Sequence, residues 1–204
     1  KIKKLKKLIS FSMKLIVYVT LPITVGLCLV AGDAVRILFG NEFLAAVTSV
    51  RILSILIIIK SIGYLYGTQV LMTVNHEKEL LLSTIFGAVT NISINAFLIP
   101  YISQDGAAIA SVISEILVMI IQMFYARKYV NSYFKEKKFY FSTIISTIAM
   151  AFIVLLLNKV ISQNIVRFFA SIFAGGLIYL IVSFLGKNDI LLWGISEIKK
   201  LRNQ

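Results

Sequence analysis

The sequence predicts an all-α polytopic membrane protein, a bundle of six transmembrane helices. Three observations predict it. First, 59% of the 204 residues are hydrophobic and 15% are charged, where an ordinary soluble domain carries about 25% charged residues. Second, the mean hydropathy is +0.91. Third, the apolar residues gather into six stretches, each near the roughly 20 residues that a helix needs to cross a bilayer. Within these stretches polar and apolar residues do not alternate, as they would in the strands of a membrane barrel. A soluble globular enzyme does not fit this composition.

The elements follow in chain order. Residues 1–10 place Ile2, Leu5, Leu8 and Ile9 on one helical face with lysines between them, the pattern of a helix lying in the membrane interface. The first span is 11–31, uncharged from 15 onward. Pro22 lies mid-span, where the lost backbone hydrogen bond predicts a helix kink. Residues 33–43 suggest a short external helix with Asp33 as its N-cap. The second span, 47–74, is interrupted by Arg51 and Lys60. The third, 80–102, is uncharged and is ended by Pro100; the fourth, 106–126, holds one charge, Glu115. The fifth and sixth, 139–158 and 168–186, show little polar signal beyond Ser142, Ser146 and Thr147, and are expected to face lipid or support the bundle. In the tail, 187–204, Leu191, Ile195 and Ile198 recur at helical spacing beside Trp193 and the Lys199–Lys200 pair, a second interfacial helix.

Charge placement sets the expected orientation. The formal net charge is +12. Lys1, Lys3, Lys4, Lys6, Lys7 and Lys14 precede the first span; Lys78 lies between the second and third. Arg127, Lys128, Lys135, Lys137 and Lys138 lie between the fourth and fifth, and Lys187, Lys199, Lys200 and Arg202 follow the sixth. These sixteen share one side, against Arg36, Arg51, Lys159 and Arg167 on the other. Basic loops stay inside, so both termini are expected in the cytoplasm. Basic residues beside membrane helices meet anionic membrane lipids, which accounts for the charge without nucleic acid. Cys28 is the one cysteine and His76 the one histidine. A disulfide framework and a multi-histidine metal centre are thereby excluded, and no metal or cofactor is expected. His76, beside Glu77 and Lys78 in a short turn, is expected to be a solvated turn residue.

The candidate site rests on polar residues inside the spans. An ionisable group in the hydrocarbon costs about 2.5–3.5 kcal/mol and usually faces a bundle interior or a wet cavity. Lys60 lies about 20 Å into its helix at 1.5 Å per residue, too deep to snorkel easily to either surface. It either faces a substrate cavity or forms a structural ion pair with Glu115, and the two are compatible. Gly63, Tyr64, Gly67 and Thr68 continue its stripe, and Gln69 is a further candidate for the cavity. Glu115 follows Ala107, Ala108, Ser111 and Ser114, with Gln122 seven residues further on. Its carboxylate suits ion coupling or, alternatively, a hydrogen-bonded helix contact. Thr84, Gly87, Asn91 and Asn95 form one stripe of the third span. Their amides suit sugar hydroxyls and interhelical hydrogen bonds equally well. Arg51 holds a phosphate or headgroup, or snorkels to the outer surface.

Residues 91–115 read NISINAFLIPYISQDGAAIASVISE. The asparagine pair Asn91 and Asn95, the Leu98-Ile99-Pro100 stop, the short turn, Gly106-Ala107-Ala108, and Ser114-Glu115 come in that order. Upstream stand Leu21-Pro22 with Gly26, and Leu38-Phe39-Gly40 followed by Glu42-Phe43. Over residues 20–127 this resembles bacterial polysaccharide flippases of the Wzx type, in the multidrug/oligosaccharidyl-lipid/polysaccharide exporter superfamily. One departure is visible: the family often has glycine shortly after the proline, where this chain has Tyr101-Ile102-Ser103.

The resemblance implies that the chain is the C-terminal half of a two-bundle transporter. It implies flipping of undecaprenyl-diphosphate-linked oligosaccharide across the cytoplasmic membrane by alternating access. Lys60 and Arg51 become candidates for the cationic cavity, Glu115 for ion coupling. The partners implied are the lipid-linked oligosaccharide and a missing N-terminal transmembrane half, without which the chain is expected to be inactive. The chain opens with Lys inside a basic segment, which agrees with something missing upstream. Rival readings are a multidrug or other lipid exporter of the same superfamily and a non-transporting scaffold or remnant. An enzyme is disfavoured, because the longest loops are about a dozen residues and the external acids are Asp33, Glu42 and Asp105.

Overall fold

The computed structural model describes residues 2–130 and 137–202. Lys1 and Lys135, and the side chains of Ile2, Leu5 and Ile198 that the two interfacial faces draw on, lie outside the described residues. Every described element is helical. Five helical segments are long and apolar enough to cross a membrane, and the third of them reverses direction midway, which gives six passes.

The first helix, α1, runs through Ile2–Phe39 without interruption. Its 38 residues amount to about 57 Å at 1.5 Å per residue, well beyond the roughly 30 Å hydrocarbon core. The interfacial segment, the first span and most of the external segment therefore share one helix. It stops at Gly40, whose φ of 92° is open to a residue without Cβ. Asp33 is thus an interior helix residue and not an N-cap. It is buried, and burial of a carboxylate requires a partner, which Arg167 of a later helix supplies.

The second crossing is irregular. A turn at Asn41–Ala46 leads into α2, Val47–Ser54, and α3, Leu56–Tyr64. A π-helical stretch, Leu65–Leu71, and a short turn, Met72–Val74, complete it. Such π segments interrupt the ordinary ladder and recur at functional places. The chain then turns through Asn75 at φ 60°.

The helix α4 spans Glu77–Ala126 but breaks at Ile102 and Ser103. Ser103 stands at φ 48° and ψ −125°, a region that favours glycine, so a serine makes the turn in this chain. The two arms fold back as an antiparallel hairpin. Gln122 Nε2 donates to Ser83 Oγ at 3.2 Å and Asn91 Nδ2 to Ser114 Oγ at 3.2 Å. Gly87 lies against Val118, and Gly106 against the backbone of Leu98. Small residues let the arms approach this closely.

Beyond the turn Arg127–Tyr129 come α5, Lys137–Val160, α6, Asn164–Leu185, and α7, Asp189–Arg202. Thr143, Ser146 and Thr147 of α5 are buried and donate to carbonyls one turn back. These polar residues thus face the bundle rather than lipid. Pro22 leaves the carbonyl of Tyr18 without its usual amide donor. The hydroxyl of Tyr179 on α6 donates to that carbonyl at 2.6 Å. The α1 backbone is so pinned to α6 at the point where the proline opens it. Ile9, Met13, Leu65, Tyr66 and Val70 form one apolar core; Tyr18, Phe139, Met150, Tyr179 and Ile190 form another.

Candidate functional site

Three helical stripes meet along one groove of about 770 Å³. From the second crossing come Leu56, Lys60, Tyr64 and Thr68; from the first arm of α4, Leu80, Thr84, Gly87 and Asn91. From its second arm come Ser111, Glu115, Val118 and Gln122. The spacings of three and four residues within each set hold one face of each helix toward the groove. Gly63 and Gly67 bring the second crossing against Gln122, where a Cβ at Gly67 would lie 2.8 Å from the amide.

The centre of the groove is an ion pair. Lys60 Nζ lies 2.8 Å from Glu115 Oε1. The Lys60 side chain keeps 60% of its surface exposed and that of Glu115 keeps 32%. The two groups therefore meet and also border open space. A single ammonium–carboxylate contact with this exposure can exchange partners more easily than a sealed, multiply bonded one.

The amides play a different part. Asn91 accepts from Asn95 Nδ2 at 2.9 Å and donates to Ser114; Gln122 is buried and donates to Ser83. Their donors staple the hairpin. Asn91 and Gln122 line the groove, whereas Asn95 stands behind Asn91. Arg51 and Gln69 are exposed and lie off the groove. Arg51 belongs to α2 and Gln69 to the π-helical stretch, on either side of the α3 segment that carries Lys60. The groove hydroxyls of Thr84 and Ser111 donate to Leu80 O at 3.1 Å and Ala107 O at 2.9 Å. With their protons committed to the backbone, they face ligands as acceptors.

Two polar clusters were not anticipated. Arg167 forks onto Asp33, with Nε donating to Oδ2 at 2.7 Å, and Nη2 donates to Asn164 Oδ1 at 2.8 Å. Arg36 Nη1 also donates to Asn164 Oδ1, at 3.1 Å. This cluster ties the far ends of α1 and α6. At the opposite end His76 is not a freely solvated turn residue. Its Nδ1–H donates to Glu79 Oε1 at 2.6 Å, and its Nε2 meets the Tyr129 hydroxyl at 2.7 Å. That bracket joins the start of the hairpin to its finish. Partners 53 and 134 positions apart leave no local pattern by which to find them.

No family model matches the chain. Two relatives are similar to it over most of its length. One, from Haloferax volcanii, is named "Probable low-salt glycan biosynthesis flippase Agl15"; it is 24% identical over 184 residues, 90% of this chain and 39% of that protein. The other is an uncharacterized membrane protein of Methanocaldococcus jannaschii, 25% identical over 209 residues, 98% of this chain and 39% of that protein. The chain therefore spans about two fifths of the length of these curated relatives. The likeness is to a flippase-like kind of multi-pass membrane protein.

Proposed function

We propose that the protein carrying this chain flips undecaprenyl-diphosphate-linked oligosaccharide across the cytoplasmic membrane by alternating access. This chain supplies one wall of the passage, and an N-terminal transmembrane half supplies the other. The observation that carries the reading is the open Lys60–Glu115 pair in a polar groove of about 770 Å³. The printed name of the Haloferax relative supports it. The distribution of lysine and arginine supports termini in the cytoplasm.

The physical task is to carry a hydrated sugar and a charged diphosphate past hydrocarbon. Lys60 can leave Glu115 for a phosphate oxygen, because the diphosphate brings more negative charge than one carboxylate. Glu115 then needs another cation from solution, which is its coupling role. Sugar hydroxyls donate to the acceptor oxygens of Thr84 and Ser111. Rocking of the two bundles exposes the groove to one side at a time. No covalent bond changes, so no hydrolase or transferase activity is expected.

The test uses the intact protein in vesicles with a fluorescent lipid-linked oligosaccharide. Lys60→Ala and Glu115→Gln should each slow flipping about tenfold or more, a loss of about 1.4 kcal/mol of differential interaction, with thermal unfolding unchanged. Flipping at the normal rate by both variants overturns the site. The 204-residue chain alone should not flip. Export of cationic drugs in place of lipid-linked sugar would favour the multidrug reading.

A further inference from the structure

A second, smaller pocket lies away from the groove, where α5 begins and α6 hands over to α7. It measures about 430 Å³ and is walled by Lys137 and Lys138 of α5 and by Lys187 of the link. Phe139, Ser142, Gly186, Asn188 and Asp189 complete the wall. All three lysines are exposed. No carboxylate among the described residues pairs with them; the acid present, Asp189, is taken up by Lys14 Nζ at 3.5 Å.

The link is built to hold Lys187 in place. Lys187 N–H donates to Phe184 O and Asn188 N–H to Ser183 O, both at 3.0 Å. This paired closure of a helix C-terminus requires a left-handed residue at its first position, usually glycine. Lys187 occupies it at φ 50°, although Gly186 is its neighbour. A lysine there carries backbone strain that glycine would not. Asn188 is buried and fixes the other side of the link. Its Oδ1 accepts from Ile190 N–H at 3.1 Å, and its Nδ2 donates to Thr143 Oγ1 at 3.1 Å. Ser142 Oγ, against Gly186, has no hydrogen-bond partner among the described residues.

We propose that this pocket binds the phosphate of an anionic lipid headgroup. Three lysines border one concavity at the basic end of the bundle, where α5 begins and α6 ends. A pocket of that charge between helix ends suits a lipid phosphate, and each lysine near an anionic headgroup contributes about fivefold in affinity. The α1 and α7 helices flank it through the Lys14–Asp189 contact and the edge-to-face stacking of Phe11 on Trp193 at 4.9 Å. The bound headgroup would fasten α7 to the membrane surface. This proposal is independent of the flipping reading.

The test is native mass spectrometry of the detergent-purified protein, titrated with phosphatidylglycerol, phosphatidylcholine or inorganic phosphate. Phosphatidylglycerol should be retained about tenfold better than phosphatidylcholine. Lys187→Gly should lower its retention about fivefold while thermal stability holds or rises, because glycine suits that backbone. Lys138→Gln should lower it by a similar factor. Equal retention of the two lipids, or full retention in Lys187→Gly, overturns the proposal. Displacement of phosphatidylglycerol by millimolar inorganic phosphate overturns the lipid as the source of the phosphate.

Discussion

Two ion pairs in this chain have the same chemistry and opposite settings. Asp33 and Arg167 keep 8% and 19% of their side-chain surface exposed, Glu115 and Lys60 keep 32% and 60%. Arg167 holds its partner through a two-point fork and adds Asn164 and the carbonyl of Ile161. Lys60 touches Glu115 at one oxygen. The first arrangement satisfies nearly every donor and leaves little of the pair to solvent, so it fastens α1 to α6. The second leaves donors and lone pairs unspent beside open space. Burial and bond number, more than charge itself, separate a staple from a group that can change partners.

The largest expected effect breaks the sealed pair. Asp33→Asn removes the counter-charge of a largely covered guanidinium and should cost about 3 kcal/mol, measured by thermal unfolding in detergent. Glu115→Gln at the open pair should stay within about 1 kcal/mol; equal losses in the two would erase the contrast. Next come the glycines. A Cβ at Gly106 would lie 2.8 Å from the backbone of Leu98, whereas one at Gly176 meets nothing within 4 Å. Gly106→Ala should cost about 1–3 kcal/mol, and Gly176→Ala should gain about 0.5 kcal/mol from helix propensity.

A double-mutant cycle then probes the pinning of α1. Tyr179→Phe orphans the Tyr18 carbonyl and should cost about 1–2 kcal/mol. In a Pro22→Ala background the helical amide returns to that carbonyl, so the same change should cost measurably less; additive losses would dissolve the link. A last substitution sharpens the picture of the hairpin. Ser103→Gly relieves a positive φ and should raise stability by about 1 kcal/mol.

The passes themselves were legible because each needs a long apolar run, and bilayer thickness fixes its length. Their ends were less so. The α1 helix swallowed three expected segments, since Tyr179 takes up the carbonyl that Pro22 leaves free and Asp33 is neutralised by a residue 134 positions away. In the groove, Lys60, Glu115, Asn91 and Gln122 were found because span depth and three-to-four spacing are local properties. Arg51 and Gln69 lie on the same crossing as Lys60 but in other segments of it, α2 and the π-helical stretch, and that irregularity hid from the sequence that they stand off the groove. The roles of the amides could not be settled from spacing, because Asn91 needs Ser114 across the hairpin to show where its donor goes. The stretch Tyr101-Ile102-Ser103 holds no glycine, yet the chain turns there, at Ser103.

That turn has a consequence for how the protein enters its membrane. Two non-helical residues, Ile102 and Ser103, with Gln104 and Asp105 after them, leave only a very short hydrophilic tether between the arms. With Asn91 bonded to Ser114 and Gln122 to Ser83, each arm is the other's polar solvent. Insertion of residues 77–126 as one unit would keep these donors paired throughout, whereas a chain stalled between the arms would hold Asn91 without Ser114, its opposite number.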